Sequence, residues 1–156
     1  MSGIYLDKKI FKVIVKNAPL VSIDLIIEHN NKFLLGLRRN KPAKNFYFVP
    51  GGRVLKGETL KEAFSRISFN EIGISLEFER AKFLGVYEHF YIESIFGEDI
   101  STHYIVLAYH IILSEEEAKK ISLNNQHSKY KWFSIKDILK NSKVHKYTKN
   151  YFINIP

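Results

Sequence analysis

The sequence predicts an α/β (α+β) fold in which a mixed β-sheet lies between helices as an α/β/α sandwich, and three observations point there. Apolar runs of strand length and segments of helical periodicity are interleaved along the chain without regular alternation and without internal repeats. The 156 residues are 46% hydrophobic and 14% aromatic, which excludes a disordered chain and supplies one core, so a single domain over 1–156 is expected. No apolar run approaches the roughly 18 residues of a membrane span. Lysines interrupt every apolar stretch of "MSGIYLDKKIFKVIVKNAPL", no secretory leader is visible, and cysteine is absent. Together these predict a cytoplasmic protein with no membrane partner.

The elements follow in order. "LDKKIFKVIVKNAP" spaces Ile10, Val13 and Ile14 at helical intervals and stops before Pro19. "LVSIDLIIEHNNKFLLGLRRN" reads as two apolar strands joined by an asparagine turn at Asn30-Asn31. Asp24 lies within the first of them, either facing solvent or buried beside a partner, because an unpaired buried carboxylate is costly. "NFYFVPGGRV" is a short strand ended by Pro50 and a Gly-Gly turn. In "TLKEAFSRISFNEIG", Leu60, Phe64 and Ile67 share a helical face, Thr59 and Glu62 form a capping box, and Gly73 stands at the C-terminal cap. "KFLGVYEHFY" and "HYIVLAYHIIL" are strands separated by a polar loop. "SEEEAKKI" is a short helix, "KYKWFSI" a strand, and "IKDILKN" and "HKYTKNYF" are closing helices.

The net charge of +8 raises the question of an anionic partner. Lysines are strewn along the chain as on a solvated surface, which argues against nucleic acid. Four of the five arginines, Arg38, Arg39, Arg53 and Arg66, instead sit in or just before the Gly-Gly segment. The planar guanidinium suits bidentate phosphate recognition, so the expected anion is a small phosphorylated ligand.

Gly52-x5-Glu58-x7-Arg66, followed by Glu71-x-Gly73-Ile74, resembles the Nudix box, G-x5-E-x7-R-E-U-x-E-E-x-G-U with U apolar. The resemblance implies a Nudix-like α/β/α sandwich. The departures are specific: three box positions that ordinarily carry glutamate hold Ile67, Asn70 and Glu71. These are i, i+3 and i+4 on one helical face, where carboxylates would gather magnesium. One of the three remains. Within the superfamily, "PLVSIDLI", "FLLGLRRN", "FVPGGRVLKGETL", "GVYEHFY", "STHYIVLAY" and "NNQHSKYKW" resemble the GDP-mannose mannosyl hydrolases, which lack the same glutamates. In that subfamily water attacks the anomeric carbon of the sugar with inversion, not phosphorus.

What the resemblance implies for this chain can be named residue by residue. The carbonyl of Gly51, the carboxylate of Glu71 and the amide oxygen of Gln126 would hold one Mg²⁺ per active site, with Mn²⁺ able to substitute. Arg38 and Arg53, with Tyr104 donating a hydrogen bond, would neutralise the leaving diphosphate, and Arg39 takes the place of Arg38 if the strand phase differs by one. His127 would be the base, since an imidazole near its ordinary pKa accepts a proton at neutral pH. Asp24 and His89 would line the sugar side, and Arg66 would pair with Glu58 or Glu62 to hold loop to helix. The implied substrate is a nucleotide sugar, GDP-mannose with GDP-glucose as a second, and the implied assembly a homodimer. The rival readings are a Nudix pyrophosphohydrolase cutting at phosphorus and a non-catalytic nucleotide-sugar-binding module.

Overall fold

A computed structural model describes residues 3–124 and 130–153. The described elements run α1 (Lys8–Asn17), β1 (Leu20–His29), β2 (Lys32–Leu37), β3 (Tyr47–Phe48), β4 (Gly51–Arg53), α2 (Leu60–Ile72), a 3₁₀ turn at Phe78–Arg80, β5 (Lys82–Tyr91), β6 (Thr102–Ile112), α3 (Glu115–Asn124), β7 (Tyr130–Ser134), α4 (Ile135–Lys140) and α5 (Lys146–Ile153). The expected order of strands and helices is observed with one correction: the segment read as a short strand ended by a Gly-Gly turn holds two strands, because Gly51, Gly52 and Arg53 pair with β1 as β4.

The strands form one mixed seven-stranded sheet around β1. β1 pairs in parallel with β6 from Leu20↔Tyr104 to Glu28↔Ile112. Along its other edge it meets two antiparallel partners in succession, β4 at Ser22 to Asp24 and β2 at Glu28 and His29. β7 and β3 pair antiparallel with β2, and β5 closes the far edge against β6. The turn between β1 and β2 uses Asn30 and Asn31 at φ 51° and 60°, the left-handed pair that a two-residue hairpin needs.

β1 is buried on both faces, which is why it reads as an almost unbroken apolar run. Ile23, Leu25 and Ile27 face α2 and pack with Phe64, Ile67 and Ile72. Ile26 faces the opposite layer, where α4 and α5 supply Ile138, Tyr151 and Phe152. All three β1 residues of the α2 face are 0% exposed, and each such side chain contributes roughly 1.5–3 kcal/mol of burial.

Two expected faces differ in detail. Leu60 sits in the first turn of α2 and is 37% exposed, so the buried stripe starts at Ala63 and Phe64. In α1, Ile10 and Val13 are 50% and 60% exposed, while Phe11, Ile14 and Val15 turn inward. Both triplets have helical spacing, and the choice falls to what lies opposite: Phe11 meets the Arg53 guanidinium and the Phe96 ring. The ends of α2 match their signals. Thr59 Oγ1 accepts from the Glu62 N–H at 3.1 Å, and Gly73 caps the C-terminus at φ 80°.

Candidate active site

The site begins where the antiparallel entry of β4 brings Gly51 opposite Asp24. A Cβ on Gly51 would lie 2.4 Å from Asp24 Oδ1 and 2.7 Å from the Ile23 carbonyl, so no larger residue fits. Gly52 lies on the side chain of Ile67, which is 1% exposed. The box position that ordinarily carries a glutamate is therefore an apolar support beneath the glycines. Asn70 is exposed, and Glu71 reaches the cavity and accepts from the Tyr130 hydroxyl at 3.1 Å. The three positions expected on one face thus split into buried, solvent-facing and cavity-lining. Ser68, at an apolar box position, is 0% exposed but satisfied: it donates to the Ser65 carbonyl and accepts from the Leu76 N–H.

Arg66 is the brace. Its Nε and Nη2 close on the Glu58 carboxylate at 2.7 and 2.9 Å, and Nη2 also donates to the Arg53 carbonyl at 2.7 Å. Glu58, held below the usual carboxylate range chiefly by that guanidinium, accepts from the Leu55 N–H as well. Of the two glutamates considered for Arg66, this fork engages Glu58, which ties the loop and β4 to α2.

Six of the expected site residues, Asp24, Arg38, Arg53, Glu71, His89 and Tyr104, line one cavity of about 130 Å³ together with Gly51. Arg38 donates through Nε to the Pro42 carbonyl at 2.8 Å, which aims its fork inward, whereas Arg39 is exposed and lines an outer basin. The strand phase therefore selects Arg38. The Arg53 guanidinium lies 3.9 Å from the Phe11 ring centroid. Tyr104, on β6, is raised by burial and keeps its phenolic proton. Gln126 and His127 lie outside the described residues.

Asp24 faces the cavity on one side, yet protein surrounds its carboxyl, and burial raises its pKa to about 7. Its partner is Tyr151, which donates to Oδ2 at 2.5 Å and makes a 3.3 Å contact with His89 Nε2. Since the one phenolic proton goes to the carboxylate, His89 is assigned as the donor in the second contact, with its proton on Nε2. Burial, with His145 second, lowers His89 to about 4, so it is neutral at pH 7. Its ring stacks on Tyr147 at 4.3 Å and 4°. Of the two positions open to Asp24, the buried, partnered one is observed.

Sequence reasoning missed Tyr130 and Tyr151. Tyr151 carried no signal, being one aromatic in a short C-terminal helix. Tyr130 had one: Gly36, its cross-strand partner, has no room for a Cβ because the Tyr130 ring would lie 2.4 Å away, and a glycine inside a strand marks such an approach.

With this geometry in view, the comparisons with known proteins are decisive at the level of family. The family model described as NUDIX domain matches residues 18–153. The chain belongs to the Nudix family. This Nudix chain is 41% identical over 123 residues to the low-salt glycan biosynthesis protein Agl8 of Haloferax volcanii, covering 79% of the chain and 76% of that protein. It is 44% identical over 69 residues to an ADP-ribose pyrophosphatase of Methanocaldococcus jannaschii, covering 44% of the chain and 40% of that protein. The crystal structure of a MutT NUDIX hydrolase from Burkholderia pseudomallei shares the fold, with TM-score 0.67 and 24% identity over 90% of this chain and all of the other. A Nudix hydrolase thus accounts for the mixed sheet, the brace and the cavity.

Nudix enzymes generally use a divalent metal such as Mg²⁺. The donors on offer here, the Gly51 carbonyl and the Glu71 carboxylate, are hard oxygens of the kind Mg²⁺ takes. Among the described residues no group of three His, Cys, Asp or Glu is placed to hold a metal.

Proposed function

We propose that this Nudix chain hydrolyses a GDP-hexose, GDP-mannose and also GDP-glucose, by attack of water on the anomeric carbon with inversion, releasing GDP and free sugar. The observation that carries this is the fate of the helix carboxylates. Ile67 is sealed in the core under Gly52 and Asn70 faces solvent, so Glu71 stands alone. Multi-metal activation of water at phosphorus needs more negative charge than that. Meanwhile Asp24 and His89 form a second polar group in the same cavity, suited to orienting sugar hydroxyls and to stabilising positive charge on the ring.

The chain's residues divide the work. Arg38 and Arg53 bind the diphosphate and take up the charge of the leaving group, with Tyr104, which lines the same cavity, as a hydrogen-bond donor. Gly51, Glu71 and Gln126 would hold one Mg²⁺, which would supply further charge neutralisation on the leaving diphosphate, with Mn²⁺ able to substitute. The water oxygen bonds to carbon as the carbon–oxygen bond to phosphate breaks, the electron pair leaves with GDP, and the water proton goes to His127. Tyr130, at the start of β7, donates to the Glu71 carboxylate at 3.1 Å. We further propose a cytoplasmic homodimer of single-domain protomers, with no nucleic-acid partner. No helix among the described residues is long and apolar enough to cross a membrane.

The similarity to an ADP-ribose pyrophosphatase favours a second reading, cleavage between phosphates. Incubation with GDP-mannose and Mg²⁺ in ¹⁸O water separates the two. Label in free hexose, released beside GDP, is expected. Label in sugar phosphate or nucleoside monophosphate overturns the carbon-attack reading.

A further inference from the structure

β5 is an edge strand, so every second residue turns its backbone N–H and C=O away from β6, where no further strand receives them. At Phe90 one side chain takes both groups. The Tyr147 hydroxyl accepts from the Phe90 N–H at 3.0 Å and donates to the Phe90 carbonyl at 2.9 Å, standing in for one residue of a missing strand. The neighbour of Phe90 is His89, and the ring held by this clamp is the one that stacks on the His89 imidazole at 4.3 Å and 4°. Tyr147 is itself well fixed. It lies in the first turn of α5, where His145 Nδ1 accepts from its N–H at 3.1 Å. Burial first, then Lys146 and Arg38, lower His145 to about 4, so that nitrogen is unprotonated at pH 7 and able to accept. The Tyr91 ring meets Tyr147 edge-on at 5.4 Å and 88°.

We propose that Tyr147 is a positioning residue for the sugar side of the cavity, acting through His89. This rests on the nucleotide-sugar reading above, in which His89 orients sugar hydroxyls. An imidazole does so only where it presents a nitrogen, and a half-turn about Cβ–Cγ exchanges Nε2 for Cε1. Two phenols of α5 prevent that ambiguity. Tyr147 and Tyr151 are i and i+4 on one helical face, and both address His89. The ring of Tyr147 fixes the plane of the imidazole, and the hydroxyl of Tyr151 selects its Nε2 edge. The clamp at Phe90 adds the backbone. β5 has one neighbour in the sheet and ends at Tyr91, two residues beyond His89, where an edge strand is least restrained. Tying Phe90 to α5 removes that slack where placement within about 1 Å decides turnover.

The test is a double-mutant cycle on the full chain, read as turnover of GDP-mannose in Mg²⁺, with Tyr147→Leu and with His89→Phe, which keeps a stacking ring but no nitrogen. Tyr147→Leu should lower kcat at least about tenfold and leave KM within about twofold, because Arg38 and Arg53 still hold the diphosphate. In the His89→Phe background the same change should cost nothing further, since the nitrogen that it positions is gone. Tyr147→Phe keeps the ring and removes only the hydroxyl. It should speed amide hydrogen exchange at Phe90 about fivefold and lower kcat less than Tyr147→Leu does. Should Tyr147→Leu fail to fold, Tyr147→Phe carries the same cycle. The proposal is overturned if the losses from Tyr147 and His89 multiply in the double variant, if Tyr147→Leu keeps the parent's kcat or alters KM alone, or if exchange at Phe90 is unchanged in Tyr147→Phe. Non-additive losses together with ¹⁸O in a phosphorus product would sink the carbon-attack reading and leave Tyr147 as the residue that positions His89. Label in hexose with multiplying losses would do the reverse.

Discussion

Replacing Asp24 by asparagine should stabilise the folded chain at alkaline pH while removing turnover. The buried carboxyl has a pKa of about 7 against an ordinary 3.8, and burial is the largest cause. Between those values the folded state keeps a proton that the unfolded state has released. This group's contribution to stability is therefore full below the ordinary carboxylate pKa, declines as pH rises toward 7, and is flat above. About three pK units at 1.36 kcal/mol each place the loss near 4 kcal/mol. Asparagine is never charged, still accepts from Tyr151 through its amide oxygen, and escapes that loss. Urea denaturation in EDTA, from about pH 5 to about pH 9, should show the advantage of Asp24→Asn growing through neutrality to roughly 2–4 kcal/mol and then levelling. The same variant should lose at least about tenfold in kcat at pH 8, since an amide cannot stabilise positive charge on the ring. An advantage that is constant over that pH range would refute the reasoning, because it would mean that Asp24 does not titrate abnormally in the folded protein.

Three further outcomes follow from the same site. Gly51→Ala should lose roughly 1–3 kcal/mol of stability together with its turnover, because the added methyl meets Asp24 Oδ1 and the Ile23 carbonyl, and a melt indistinguishable from the parent's would contradict this. Glu71→Gln should shift the Mg²⁺ dependence of activity to higher concentration, whereas Asn70→Asp should not, since Asn70 faces solvent; an unshifted Mg²⁺ titration for Glu71→Gln would remove that residue from the metal site. His127→Gln should lower kcat about 100- to 10,000-fold with little change in KM, and the parent's activity should rise with pH through a histidine-like pKa; an effect confined to KM would assign His127 to binding.

Local spacing carried the element order apart from β4, the caps of α2, the asparagine turn and the box, because caps, turns and helical faces are contacts between residues a few positions apart. The loss of two box carboxylates was equally legible, being a matter of identity at fixed positions. What those positions became was not. The apolar face of α2 already included Ile67, but that it underlies Gly52 depends on where β4 packs, and Glu71 lines the cavity beside Tyr130 of β7. The inward face of α1 was ambiguous for the same reason, since residues 10, 13 and 14 and residues 11, 14 and 15 have identical spacing, and only Arg53 and Phe96 distinguish them. Asp24 is the clearest case. A carboxylate in an apolar strand announced a cost to be met, but Tyr151, the residue that meets it, is 127 positions away and reaches it only because α5 packs across the centre of the sheet. Periodicity decides which residues a segment can bury, while the packing of distant segments decides which it does bury and what each polar group finds there.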